Sequence, residues 1–193
     1  MACLYVLKNK LMSKFQNKYR IETSRLKEWD YTNPWWYYVT INTKDHVKYF
    51  GIVVHGKMIL NELGKLADKC WKEIPNHFTN VELDYFVVMP NHVHGIIIIN
   101  PNVKTCHCKS LQETERRFSK PIKNSLSVII NQFKGSIKRL ANQNGFESFS
   151  WQSRFYDRII RNEKELYNIR QYIEQNPIKW NIEKDDLENI YEL

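Results

Sequence analysis

Val81 to Val88 and His92 to Ile99 are two strand-like runs separated only by Met89-Pro90-Asn91, so the chain must turn back antiparallel there. Side chains alternate along a strand, which puts His92 and His94 on one face, at the entry to the four isoleucines Ile96 to Ile99. Neighbouring imidazoles are a ready clamp for a divalent cation. An isolated His-x-His pair is more commonly polar surface or a satisfied core pair, so the reading depends on the rest of the chain.

Trp35 to Ile41 is aromatic and β-branched and predicts a further strand. Tyr49 to Val54 and Lys57 to Leu60 flank His55-Gly56, a two-residue turn signal, and predict a hairpin. Asn61 is placed to cap a helix from Glu62 to Trp71 that ends at Ile74-Pro75. Ile122 to Leu140 carries Leu126, Ile129, Ile130, Phe133, Ile137 and Leu140 at three- and four-residue steps, one apolar helix face, and Asn144-Gly145 closes it. Lys134, Lys138 and Arg139 lie off that stripe, where they can reach phosphates. Trp151 to Ile160 reads as extended or irregular and carries Arg154 and Arg158. A last helix runs from Glu163 to Asn176 and is stopped by Pro177. Together these elements predict an α+β fold, an antiparallel sheet with helices packed on one face.

Length and charge narrow the class. The 193 residues, 42% of them hydrophobic, suffice for one core and not two. We therefore expect an N-terminal arm over 1–18, a single domain over 19–180 and a short charged tail over 181–193. Lys plus Arg number 29 against 21 Asp plus Glu, a net charge of +8, which favours a polyanionic partner such as nucleic acid or an anionic membrane surface. No apolar run approaches the ~20 residues that cross a bilayer, and Lys8, Lys10 and Lys14 interrupt any signal-peptide core. Cys3, Cys70, Cys106 and Cys108 do not form a secreted disulfide framework, so a cytoplasmic location is expected. Cys106-His107-Cys108 invites a zinc reading, but no second pair with finger spacing follows, and a surface loop is the default. Arg20, Arg25 and Lys27 with Trp29 and Tyr31 suit a phosphate backbone with stacked bases, or equally an arm that packs on the surface.

The last helix holds the other informative stretch. Asn162 and Glu165 have capping-box spacing, and Leu166, Ile169 and Ile173 form the core-facing stripe. At 100° per residue Tyr172 and Asn176 share one flank of that stripe, a turn apart. A phenol and an amide oxygen are thus offered together. Taken alone, Tyr172 packs and Asn176 ends the helix.

The ordered combination is specific where each piece is weak. Pro90-Asn91-His92-Val93-His94-Gly95, then Trp151-Gln152-Ser153-Arg154-Phe155-Tyr156-Asp157 with Ile159-Ile160-Arg161-Asn162-Glu163, then Ile169-Arg170-Gln171-Tyr172-Ile173 and Asn176-Pro177, resembles the single-tyrosine HUH transposases, including the REP-associated tyrosine transposases. The resemblance extends over about residues 19–180. It implies a ferredoxin-like domain with Tyr172 as the nucleophile and His92, His94 and Asn176 holding Mg²⁺ or Mn²⁺. It further implies single-stranded or hairpin DNA as substrate, a 5′-phosphotyrosine intermediate and a free 3′ hydroxyl. Arg158 departs from the histidine that many relatives carry there. Arg154, Arg158, Lys134 and Lys138 are the expected backbone contacts, on charge and location. Both a monomer and a homodimer are compatible with this family, and with them a tyrosine helix serving its own histidines or a partner's. Two other readings compete: a hairpin-binding descendant that does not cut, and a metal-dependent phosphoesterase that uses water.

Overall fold

The computed structural model describes residues 14–15, 18–19, 29–101 and 124–190, with the side chains of 14–15, 18–19 and 181–190 left aside. Two short strands, β1 (Lys14–Phe15) and β2 (Lys18–Tyr19), pair antiparallel. The aromatic run forms β3 (Trp35–Asn42). The hairpin follows as β4 (Gly51–Val54) and β5 (Lys57–Leu60), and its turn has φ of 49° at His55 and 69° at Gly56. Positive φ at both central residues is the turn geometry that matches strand twist, and Gly56 supplies it without strain. Helix α1 (Glu62–Lys72) is capped by the Asn61 side chain, which accepts from the Gly64 N–H at 2.9 Å. The short α2 (Ile74–His77), β6 (Val81–Val88), β7 (His92–Ile99), α3 (Leu126–Gln143), β8 (Tyr156–Ile159) and α4 (Glu163–Ile190) complete the chain.

The main sheet has the order β6-β7-β3-β8, with every neighbouring pair antiparallel. β3 and β6 both flank β7 and are joined through α1; β7 and β8 both flank β3 and are joined through α3. Two interleaved βαβ units of this kind are the ferredoxin-like arrangement. Pairing sets Thr40 opposite His94 and Asn42 opposite His92.

Alternation divides the sheet between two cores. Tyr37, Val39, Ile41, Val93, Ile97 and Ile99 meet Trp71 of α1 and Ile129, Phe133 and Ile137 of α3. Tyr38 and Ile96, on the other face, meet Ile173 of α4, with Ile160 beside them. The antiparallel α+β fold is as expected, but helices cover both faces and not one. The reason is register: Tyr38 and Ile96, paired across β3 and β7, lie on the second face and need their own cover, which α4 supplies.

Pro177 does not end the last helix, which continues to Ile190. Proline removes one amide donor and crowds the preceding turn. Contacts beyond it hold the helical path: Ile178 lies against the Gly56 turn, and the Trp180 and His92 rings are 5.8 Å apart. α3 begins at Leu126 and runs to Gln143, three residues past the expected end. Residues 1–13, most of the basic arm and Cys106-His107-Cys108 lie outside the described residues. No helix among the described residues is long and apolar enough to cross a membrane.

Candidate active site

Alternation along β7 presents both imidazoles toward α4, with ring centroids 4.4 Å apart. Hydrogen bonds fix how each ring is turned. The Asn91 amide nitrogen donates to the His46 carbonyl at 3.1 Å, which assigns the Asn91 oxygen to the other side, 2.6 Å from His92 Nδ1. An amide oxygen only accepts, so Nδ1 carries the proton and the lone pair sits on Nε2. Nε2 is buried and has no hydrogen-bond partner among the described residues. A ring nitrogen so placed, with its other nitrogen held by a carbonyl, has the arrangement of a metal ligand.

His94 is anchored by two hydroxyls from β3. Its Nδ1 lies 2.8 Å from Tyr38 Oη and 2.9 Å from Thr40 Oγ1. Thr40 Oγ1 also donates to Tyr38 Oη at 3.1 Å. With Nδ1 engaged there, Nε2 is the nitrogen left for a ligand. Burial holds both imidazoles neutral: the pKa of His92 falls to about 4, with the Asn176 amide opposing the shift and His46 adding to it, and that of His94 falls to about 3 through burial and its neighbour His92. Burial also pushes the Tyr38 phenol up, so it stays protonated.

α4 supplies the remaining groups from above. Asn162 caps it, its side chain accepting from the Glu165 N–H at 2.9 Å, while a Glu165 oxygen accepts from the Arg161 N–H at 2.9 Å. Ile173 is buried, and its flank carries Tyr172 and Asn176 over the histidines. The Tyr172 ring is 5.3 Å from the His94 ring and 6.4 Å from the Tyr38 ring, and is 42% exposed. Lys179 Nζ stands 5.7 Å from the centre of the Tyr172 ring. A cavity of about 290 Å³ is lined by His92, His94, Tyr172, Asn176, Lys179 and Trp180, among others. Within the chain, α4 packs over the strand that carries the histidines.

The donors fit a divalent ion of open coordination. The orphaned His92 Nε2, the His94 ring and the Asn176 amide border the same space. No cluster of three or more His, Cys, Asp or Glu occurs among the described residues, so an ion there would take the rest of its shell from water or phosphate.

Not all of the expected contacts converge. Arg158 lies on the β8 face toward α4, and its Nε pairs with Glu165 Oε1 at 2.5 Å. Arg154 is exposed in the segment before β8. Lys134 and Lys138 do not reach this cavity; they belong to α3, whose apolar face packs on the opposite side of the sheet. Lys134 Nζ donates to the carbonyls of Gln152 and Ser153, at 2.6 and 3.3 Å, and Lys138 Nζ to those of Glu147 and Phe149, at 3.0 and 2.6 Å. They tie the 147–153 loop to the helix. Trp29 and Tyr31 pack on the main core, Trp29 Nε1 donating to Tyr37 Oη at 3.1 Å. Sequence reasoning missed Asn91, Tyr38, Thr40, Lys179 and Trp180. For Tyr38 and Thr40 the signal was present: they alternate on a strand that had to pair with the histidine strand.

The order of the sheet and the helices packed on it are shared with a solved transposase structure. The solved structure of a REP-associated tyrosine transposase bound to a REP hairpin superposes on 87% of this chain and 74% of its own, with a TM-score of 0.51 and 18% identity, a likeness of fold. At the level of sequence, 164 residues align at 37% identity with an uncharacterized protein of Haemophilus influenzae, covering 84% of this chain and 90% of that one. The chain belongs to the family of that Haemophilus protein. No family model matches it.

Proposed function

We propose that the chain is a metal-dependent DNA nicking and joining enzyme of the single-tyrosine transposase type, acting on single-stranded or hairpin DNA. The observation that carries the reading is the placement of the Tyr172 ring 5.3 Å from His94, in one cavity with His92 and Asn176. His92, His94 and Asn176 would hold Mg²⁺ or Mn²⁺; bound there, such an ion supplies charge neutralisation at the non-bridging oxygens of the phosphate.

The chain's own residues do the rest. Tyr172 Oη attacks phosphorus and loses its proton to solvent; the bond from phosphorus to the 3′ oxygen breaks, and that oxygen leaves as a hydroxyl after taking a proton. The 5′ phosphate stays on Tyr172 as a phosphodiester, so the bond is exchanged and not lost to water. A 3′ hydroxyl attacking the phosphotyrosine reverses the step and joins strands. Asn91 and the Tyr38–Thr40 pair orient the imidazoles, and burial keeps both neutral and able to ligate. The Lys179 ammonium, 5.7 Å from the centre of the Tyr172 ring, makes a cation–π contact that helps to hold that ring in place.

The test is a denaturing gel of labelled hairpin DNA incubated with the protein and Mg²⁺ or Mn²⁺. A detergent-resistant adduct is expected with wild type and with Tyr156→Phe, and none with Tyr172→Phe. Cleavage that persists in Tyr172→Phe points to a hydrolase using water, and binding without either product to a non-cleaving module.

A further inference from the structure

A second concavity adjoins the histidine cavity and shares Tyr172 with it. It measures about 620 Å³ and lies between β8 and the first turns of α4. That volume is in the range that seats a ligand of nucleotide size. Its walls divide by chemistry. Tyr156 is 48% exposed, and its ring is braced by that of Tyr38 at an interplanar angle of 70° with centroids 6.3 Å apart. Arg158, Arg161 and Lys164 line the rim, all three on exposed positions.

The groove is built. Glu165 binds the Arg161 N–H through one oxygen and Arg158 Nε through the other, and those bonds hold its carboxyl below the usual range. The Glu165 contact engages Nε of Arg158, and a guanidinium carries two further donor nitrogens. Pairing on β8 puts Tyr156 opposite Thr40 and Arg158 opposite Tyr38, the same face as His94.

We propose that this groove is a nucleotide subsite for the single DNA strand beside the cut, with Tyr156 stacking the base and Arg161 and Lys164 holding the backbone. An open aromatic face flanked by cations is what an unpaired nucleotide needs, and a duplex would bury that face. The shared Tyr172 wall places the bound nucleotide next to the phosphate that the tyrosine attacks. The inference rests on the histidine cavity being the cutting site.

Fluorescence anisotropy with a labelled oligothymidylate tests it, using the Tyr172→Phe protein in EDTA so that chemistry cannot contribute. Tyr156→Ala should weaken binding roughly 5- to 150-fold, the range for one lost base stack. Tyr156→Leu, which keeps bulk but no π face, should lose as much; Tyr156→Phe should keep the affinity. Arg161→Gln should flatten the slope of log K against log salt by about 0.7. Unchanged affinity in both Tyr156→Ala and Tyr156→Leu overturns the proposal, as does equal loss in Tyr156→Phe. Because the readout is binding, a groove that holds the strand while wild type forms no adduct supports the subsite and sinks the nuclease reading. An adduct formed equally well by Tyr156→Ala, with undiminished binding, does the reverse.

Discussion

Gly95, between His94 and Ile96, offers the sharpest test of how the site is held. A Cβ built there would lie 2.2 Å from Trp71 Cζ2 and 2.9 Å from both Cε2 and Cη2. Carbons in contact sit about 3.5–4.0 Å apart, so the indole or the strand must give by more than about 1 Å. The indole has no easy retreat. Trp71 is fully buried, with Phe133 edge-on at 5.1 Å and Phe86 stacked at 5.9 Å. Overpacking of this kind costs about 1–3 kcal/mol, and the depth of the overlap puts Gly95→Ala at the upper end. For a chain of this length about 3 kcal/mol lowers Tm by roughly 6–12 °C, measurable by calorimetry. Trp71→Leu removes the obstacle at the cost of a cavity, so the double variant should be less destabilised than the two single losses added together, by about 0.5–3 kcal/mol. A Gly95→Ala protein that melts with wild type, or a strictly additive double variant, would refute the claim that indole contact is what requires glycine in the histidine strand.

Two further outcomes follow from the buried histidines and from the lysines of α3. In the metal-free protein the folded pKa values of about 4 and 3 lie below the ~6.5 of an unfolded histidine, so the unfolded chain binds more protons between those limits. The stabilisation is complete above pH 6.5 and is lost as pH falls toward 4 and then 3. Urea melts in EDTA from pH 7.5 to 4.5 should show it, and His94→Gln should flatten the profile; an unaltered slope in that variant contradicts the assignment. Lys134→Met leaves two loop carbonyls without their donor and should cost about 1–3 kcal/mol in the same melts, with DNA affinity unchanged; a selective loss of affinity would return Lys134 to the phosphate-contacting set.

Sequence alone determined the local pieces. Period-two alternation set the histidine strand and its neighbours, and the Asn61, His55-Gly56 and Asn162 signals placed the ends of α1, β4–β5 and α4, because caps and turns are decided within a few residues. Helical geometry put Tyr172 and Asn176 on one flank without reference to any other part of the chain. What alternation could not decide was which layer covers which face. That choice followed from the β3–β7 register, which sends Tyr38 and Ile96 away from the main core and leaves them to α4.

Tertiary contacts also overrode two local rules. Pro177 reads as a stop, yet Ile178 and Trp180 find partners on the hairpin and on His92, and those contacts carry the helix past the missing hydrogen bond. Lys134 and Lys138 read as free cations beside an apolar stripe, yet the loop after α3 folds back and occupies them. Hydrogen bonds between residues distant in sequence, Tyr38 and Thr40 to His94, orient a ring that no short-range pattern reveals. A strand's period tells which face a histidine takes; only the packed fold decides which of its nitrogens is left free.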